Sequence, residues 1–361
     1  MAELANSLEI TRQAISQYEI GTADPSEFTM RKIVDTLKYP LDYFKKPMPD
    51  FEGNYSQSAV YFRKQKGASA KLKEASEQRI DQFAEIDMYF RNFVDIPNID
   101  IPKISMDNYS LDGVNINAEE VAKSVREYWN LGDYPITNLS LLLEKKGFML
   151  STMKNNHKKI DAFSRWYKNG VPYIFYGSDN LSSVRYRFDL AHEFGHLIMH
   201  SHITEEDMNI KEVYDRIEDE ANSFAGAFLL PVSSYASEIY STSIEHFLML
   251  KKKWKVSVAA MIYRIANLNI FTDSQIQYVK NQMTQRKYWH REPYDDTMEV
   301  EKPIVLKQAL NILLDNKIIT KEQFLADNPY QPEELENLCF LDYGILTTTN
   351  SFGSKVVNLK R

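Results

Sequence analysis

The run AHEFGHLIMH at residues 191–200 constrains this 361-residue chain more than any other feature. It sets His192 and His196 four positions apart, with Glu193 directly after the first. Residues four apart on an α-helix lie about 40° apart round its axis, so both imidazoles can reach one ion while Glu193 projects beside an open coordination position. Phe188, Leu190, Ala191, Phe194, Gly195 and Leu197 surround these three, and apolar or small neighbours imply burial. Two imidazoles and a carboxylate buried without partners would be strongly destabilising, and a bound metal removes that penalty. The spacing therefore predicts a zinc-dependent hydrolase in which Glu193 is the general base.

Such a site needs a third ligand. His202 sits ten residues after His192, as in metzincins, but that pattern turns the chain with a glycine where this sequence has Met199. The segment RIEDEANSFAGAFLLP at 216–231 offers a better source, because Glu218 and Asn222 share a helix face and Ala221, Ala225 and Gly226 permit close packing. A gluzincin arrangement follows, with Glu218 on the ion and Asn222 orienting a ligand of the first helix. Glu220 points about 160° away from Glu218 round the same helix and is read as facing elsewhere. His200 continues the stripe of His192 and His196. It is read, with His157, His246 and His290, as a satisfied histidine outside the ligand set.

The ordered motifs FSRWYKNGVPYIFYG, VRYRFDLAHEFGHLIMH, IEDEANSFAGAFLLP and KKWKVSVAAMIYRIANL make residues 118–268 resemble the ImmA/IrrE family of zinc peptidases. The resemblance implies Zn²⁺ as cofactor, metal ligands at His192, His196 and Glu218, and a general base at Glu193. It also implies a regulatory protease whose protein substrate is a helix-turn-helix repressor. A second resemblance lies at the N-terminus, where LANSLEITRQAISQYEIGTADPS is similar to the Xre/Cro-type DNA-binding domain. In that pattern Arg12, Gln13, Ser16 and Gln17 would meet base edges, while Ala14, Ile15 and Tyr18 face the core. The sequence begins where the second helix of the pattern begins, so the module is expected to be truncated and to leave Leu4, Leu8 and Ile15 short of packing. Six Lys/Arg against seven Asp/Glu in residues 1–47 supply little attraction for phosphate.

Helix punctuation surrounds these motifs. Thr11 and Ser26 cap helices over 12–19 and 26–37, and a Pro/Asp/Gly/Asn/Ser-rich run at 47–58 reads as a linker. A long amphipathic helix is expected over 71–93, with Ile80, Phe83, Ile86, Met88 and Tyr89 as its apolar positions. Strands are expected at 148–153, 162–167 and 171–176, the last two joined by Asn169-Gly170 as a small antiparallel sheet. Helices follow near 118–129, 181–202, 212–230, 243–254, 256–267, 304–315 and 320–326. The expected class is α+β. It comprises an all-α helix-turn-helix at 1–47, a linker and long helix at 48–115, a zincin-like domain of gluzincin type at 116–270, and a helical region of unassigned role at 271–361.

Composition narrows the function classes further. Hydrophobic residues at 43% and charged residues at 26% suit a folded chain, and a net charge of −7 argues against a general nucleic-acid coat. Cys339 is the lone cysteine, so no intramolecular disulfide is possible, and a thiolate zinc site would need other residue types to supply its remaining ligands. With no apolar run near the ~20 residues of a membrane span, the chain is expected to be cytoplasmic and to act on protein, with DNA contact confined to residues 1–47. The competing reading is a non-enzymatic helix-turn-helix regulator whose metal domain senses or scaffolds. An intact Glu193 weighs against it, because structural zinc sites usually close their fourth position with another ligand.

Overall fold

A computed structural model describes residues 2–46, 61–62, 70–103, 116–153, 162–177 and 182–347. The linker expected at 47–58, most of the run at 95–115, and His157 lie outside them. The chain opens with four helices, α1 (Ala2–Leu8), α2 (Arg12–Glu19), α3 (Glu27–Leu37) and α4 (Leu41–Lys45), then a two-residue strand β1 (Tyr61–Phe62) and the long α5 (Ala70–Arg91). Next come α6 (Ala118–Tyr128), α7 (Leu139–Lys145), β2 (Met149–Met153), β3 (Ala162–Trp166), β4 (Pro172–Gly177) and α8 (Ser183–Met199). They are followed by α9 (Glu205–Met208), α10 (Lys211–Leu229), α11 (Val232–Tyr235), α12 (Ile244–Trp254), α13 (Val258–Asn267) and α14 (Asp273–Gln285). The last three helices are α15 (Val305–Asp315), α16 (Lys321–Asp327) and α17 (Pro332–Leu338). Among the described residues no helix is long and apolar enough to cross a membrane.

The chain divides into two compact units, one built from residues 1–49 and 306–361 and the other from 50–305. In the first unit Thr11 and Ser26 cap α2 and α3 through their hydroxyls, as their positions require. Leu8 and Ile15 are buried with Ala5 and Ile33, and Leu4, Ile10, Met30 and Phe44 close over them. The expected shortage of packing around Leu8 and Ile15 is therefore not found. The C-terminal helices add to this unit: Tyr39 donates to Glu334 at 2.8 Å, and Tyr43 meets Tyr330 edge-on at 5.6 Å.

The second unit is α+β, and its sheet has the order β1-β3-β4-β2. The turn at Asn169-Gly170 makes β3 and β4 an antiparallel hairpin, with Phe163 opposite Phe175 and Ser164 opposite Ile174. β2 joins the other edge of β4 in parallel, which makes the sheet mixed rather than wholly antiparallel. Once the tight turn has paired β3 with β4, β2 finds its partner on the remaining edge of β4, and the direction of the chain makes that pairing parallel. Helix α5 buries Ile80, Phe83, Ala84, Ile86 and Phe90, whereas Met88 is 40% exposed and faces solvent.

Helix α8 is buried along nearly its whole length and packs chiefly on α10. Helix α10 presents Ile217, Ala221, Phe224 and Phe228 at the helical period, all fully buried. Phe194 of α8 lies 5.4 Å from Phe224 and 5.2 Å from Phe228, and stacks on Trp129 of α6 at 5.2 Å. Gly195 allows this approach, since a Cβ there would stand 2.8 Å from Cδ1 of Phe224. The other side of α8 is held by Arg187, which pairs with buried Glu301. Glu301 also accepts from the backbone N–H of Leu139 at 2.6 Å. Residues 299–305 thus belong with this unit's core rather than with a free tail.

Two stability outcomes follow from this packing. Gly195→Ala should destabilise the chain by about 1–3 kcal/mol, because the aromatic ring it meets is fully enclosed. An unchanged melting temperature would show that the α8–α10 spacing is not set there. Burial raises the carboxyl of Glu144 to about 7, although it accepts from the backbone N–H groups of Ile304 and Val305. Its unfolded value is near 4.5, so the folded state holds the extra proton between the two. Its stabilising contribution is complete below about pH 4.5 and is lost as pH rises through about 7, by up to about 3 kcal/mol. Glu144→Gln should remove that slope from chemical denaturation measured between pH 5 and 8, and a slope unchanged in the variant would contradict the assignment.

Candidate metal centre

The helical stripe of α8 carries His192 and His196 into the interface with α10, where both are fully buried. Their Nε2 atoms lie 3.0 Å apart. Glu218 reaches in from α10, with a carboxylate oxygen 3.6 Å from Nε2 of His192 and the other 3.3 Å from Nε2 of His196. Among the described residues these three form the only cluster of His, Cys, Asp and Glu side chains able to hold a metal ion together. Glu218 retains 17% side-chain exposure while the imidazoles have none, so the cluster opens to solvent on the glutamate's side.

The donor set fits a tetrahedral metal. Ligand bonds of 2.0–2.1 Å at tetrahedral angles place donor atoms roughly 3.3 Å apart, and the distances of 3.0, 3.3 and 3.6 Å bracket that value. Asn222, one turn beyond Glu218, places its Oδ1 3.1 Å from Nδ1 of His192. An amide oxygen only accepts, so His192 carries its proton on Nδ1 and turns the lone pair of Nε2 toward the cluster. Among the described residues Glu218 Oε1 is buried with no hydrogen-bond partner. A cation at the centre of these donor atoms would satisfy them together.

Glu193 is fully buried and follows His192 on α8. Ser164 of β3 donates to its carboxylate at 2.6 Å, and Trp166 donates to the carbonyl of Leu197 at 2.8 Å, so β3 fixes α8 at two points. Ser164 was not legible in the sequence, because a single serine in a strand gives no signal of what lies across from it. His200, read as a satisfied histidine, is enclosed here, and Glu220, read as facing away from the ion, lies against His200. His200 Nδ1 lies 2.9 Å from Nδ1 of His196, and its Nε2 lies 2.9 Å from Glu220. Burial and the neighbouring positive groups push the imidazole of His200 well below its ordinary value, and burial raises the carboxyl of Glu220. The signal for the pair was present in the four-residue spacing from His196.

His202 is exposed and outside the cluster, which disposes of the metzincin alternative on geometry. His246 bonds through Nε2 to the carbonyl of Glu238 at 2.8 Å. His290 lines a cleft of about 720 Å³ that also includes Asp189, Asn222, Tyr263 and Trp289, and Asn222 links that cleft to His192. In the N-terminal unit Arg12, Gln13 and Gln17 lie exposed on α2, Ser16 is half-buried, and Ile15 faces the core.

The candidate site falls within a segment that matches a known family. Residues 143–266 match the IrrE N-terminal-like domain. Residues 1–44 match a helix-turn-helix family, so the chain joins the two kinds of domain. The IrrE-like match spans β2 to α13 and contains His192, Glu193, His196, Glu218 and Asn222. The family is one of metallopeptidases, and a possible metal site stands inside the matched segment. No curated protein matches the chain. A solved structure of a Mycobacterium tuberculosis transcriptional regulator is similar at 14% identity and a TM-score of 0.30. That similarity covers 51% of this chain and 52% of the other, so the chain spans about half the length of that structure.

Proposed function

We propose that the chain is a zinc-dependent endopeptidase that cleaves a regulatory protein, with residues 116–270 as its peptidase domain. The observation that carries this reading is the convergence of His192, His196 and Glu218 beside a buried glutamate held by Ser164. When bound, zinc supplies Lewis-acid polarisation of the scissile carbonyl and makes water a stronger acid. His192 and His196 offer their Nε2 lone pairs, and Glu218 offers a carboxylate that balances the charge. Glu193 takes the proton of the attacking water on its carboxylate and returns it to the leaving amine. Ser164 holds that carboxylate in one rotamer, which keeps the base aimed while the substrate exchanges. The cleft beside Asn222 is large enough for several residues of an extended chain, which suits a polypeptide substrate.

The family resemblance favours a helix-turn-helix repressor as that substrate, and the attached helix-turn-helix would bring the peptidase to DNA or to its target. Arg12, Gln13, Ser16 and Gln17 would supply base contacts from α2, whose exposed positions suit that role. DNA affinity would then depend on those contacts more than on bulk charge.

Incubating the zinc-loaded chain with the repressor encoded beside it, followed by intact mass, should reveal one discrete cleavage. Glu193→Gln should keep zinc and slow cleavage about 10²–10⁴-fold, since the base is not a ligand. His192→Ala, His196→Ala and Glu218→Ala should each lose most bound zinc. Full zinc with no cleavage of any candidate repressor would favour the sensor reading, and full zinc in a His192/His196 double variant would defeat the site.

For the N-terminal domain, Gln13→Ala and Gln17→Ala should each weaken binding to a cognate palindrome by about 1–3 kcal/mol. Nonspecific binding should stay unchanged in the same gel-shift titration. No sequence-specific shift by the unaltered chain would instead assign residues 1–47 to protein docking.

A further inference from the structure

We infer that His200 and Glu220 form a positioning pair that sets the tautomer of His196 and thereby its strength as a metal ligand. The inference rests on the metal reading proposed above and deepens it. The three groups stand in line, with His196 Nδ1 2.9 Å from His200 Nδ1 and His200 Nε2 2.9 Å from Glu220 Oε2. The other oxygen of Glu220 accepts from the backbone N–H of Ile116 at 3.0 Å, which fixes the carboxyl against His200. All of His200 is enclosed, and Glu220 is 6% exposed.

The metal reading and the geometry together leave one arrangement. A metal held by Nε2 of His196 uses the lone pair of that atom, so a neutral His196 carries its proton on Nδ1 and donates to Nδ1 of His200. A neutral imidazole has a single ring proton, and that of His200 then sits on Nε2, facing Glu220. The opposite arrangement would put a hydrogen on the atom of His196 that faces His192 and Glu218. Asn222 sets the same tautomer for His192 from the other side. The two imidazoles are thus prepared by different means: a neutral amide for His192, and an imidazole backed by a carboxylate for His196. The second makes the stronger hydrogen bond and the more basic ligand.

The test is zinc affinity of the full-length chain, measured by competition with a chromophoric chelator, together with side-chain nitrogen NMR of the zinc-loaded wild type. His200→Phe keeps the bulk and removes the acceptor, and it should weaken zinc about 10–100-fold. His200→Gln can accept from His196 at its carbonyl and donate to Glu220 from its amide, so it should recover most of that loss. Glu220→Gln turns an amide N–H₂ toward one of two donors and should fall between them. The NMR should show His200 protonated at Nε2 and His196 at Nδ1. Wild-type affinity in both the Phe and the Glu220 variants, or His200 protonated at Nδ1, would overturn the pair while leaving the metal site standing. A wild-type chain that takes up no zinc would overturn the metal reading and the pair with it. If the Phe variant does not fold, as judged by its melting curve without zinc, the wild-type tautomers decide.

Discussion

The site of the second unit depends on polar groups held close together inside a packed helix pair. Two imidazole nitrogens and the carboxylate of Glu218 face one another there across 3.0–3.6 Å. In water such groups would separate and hydrate. Here neither helix can retreat, because the ring of Phe194 is locked against Trp129, Phe224 and Phe228. Gly195 brings α10 close enough for Glu218 to reach the histidines. Packing energy spread over these rings holds the donors in place, and on the metal reading proposed above a cation would turn the arrangement from costly to favourable.

Two of the donors and the candidate base are each held by a different kind of neighbour. An amide from α10 orients His192, an imidazole backed by a carboxylate orients His196, and a strand hydroxyl orients Glu193. These partners come from β3, α8 and α10, so the sheet and both helices must be in register before the site exists. Glu301, well downstream of the matched domain, secures the far end of α8 through Arg187. A peptidase segment cut at residue 270 would lose that clamp.

Much of the arrangement was legible in the sequence because it rests on helical spacing. The four-residue interval put His192 and His196 on one face, and the interval from Glu218 to Asn222 put both of those on another. What spacing cannot give is the partner across an interface. Ser164 meets Glu193 only because β3 packs on α8, and nothing in FSRWY announces it. Glu220 was read as pointing away from the ion, which it does. The helical angle alone does not show that Glu220 then meets His200, at the C-terminal cap of α8. Helix α14 was missed although Thr272 and Gln275 form a reciprocal cap at its start, a signal that local reading can use. The parallel pairing of β2 depends on which edge of β4 remains open, a tertiary matter.

The most direct test of the central claim is a crystal of the zinc-loaded chain measured on both sides of the zinc absorption edge. The account predicts a single strong anomalous peak within bonding distance of Nε2 of His192, Nε2 of His196 and a carboxylate oxygen of Glu218. A peak elsewhere, one that engages Glu220 or His200 directly, or no peak in a chain shown to be folded would contradict it.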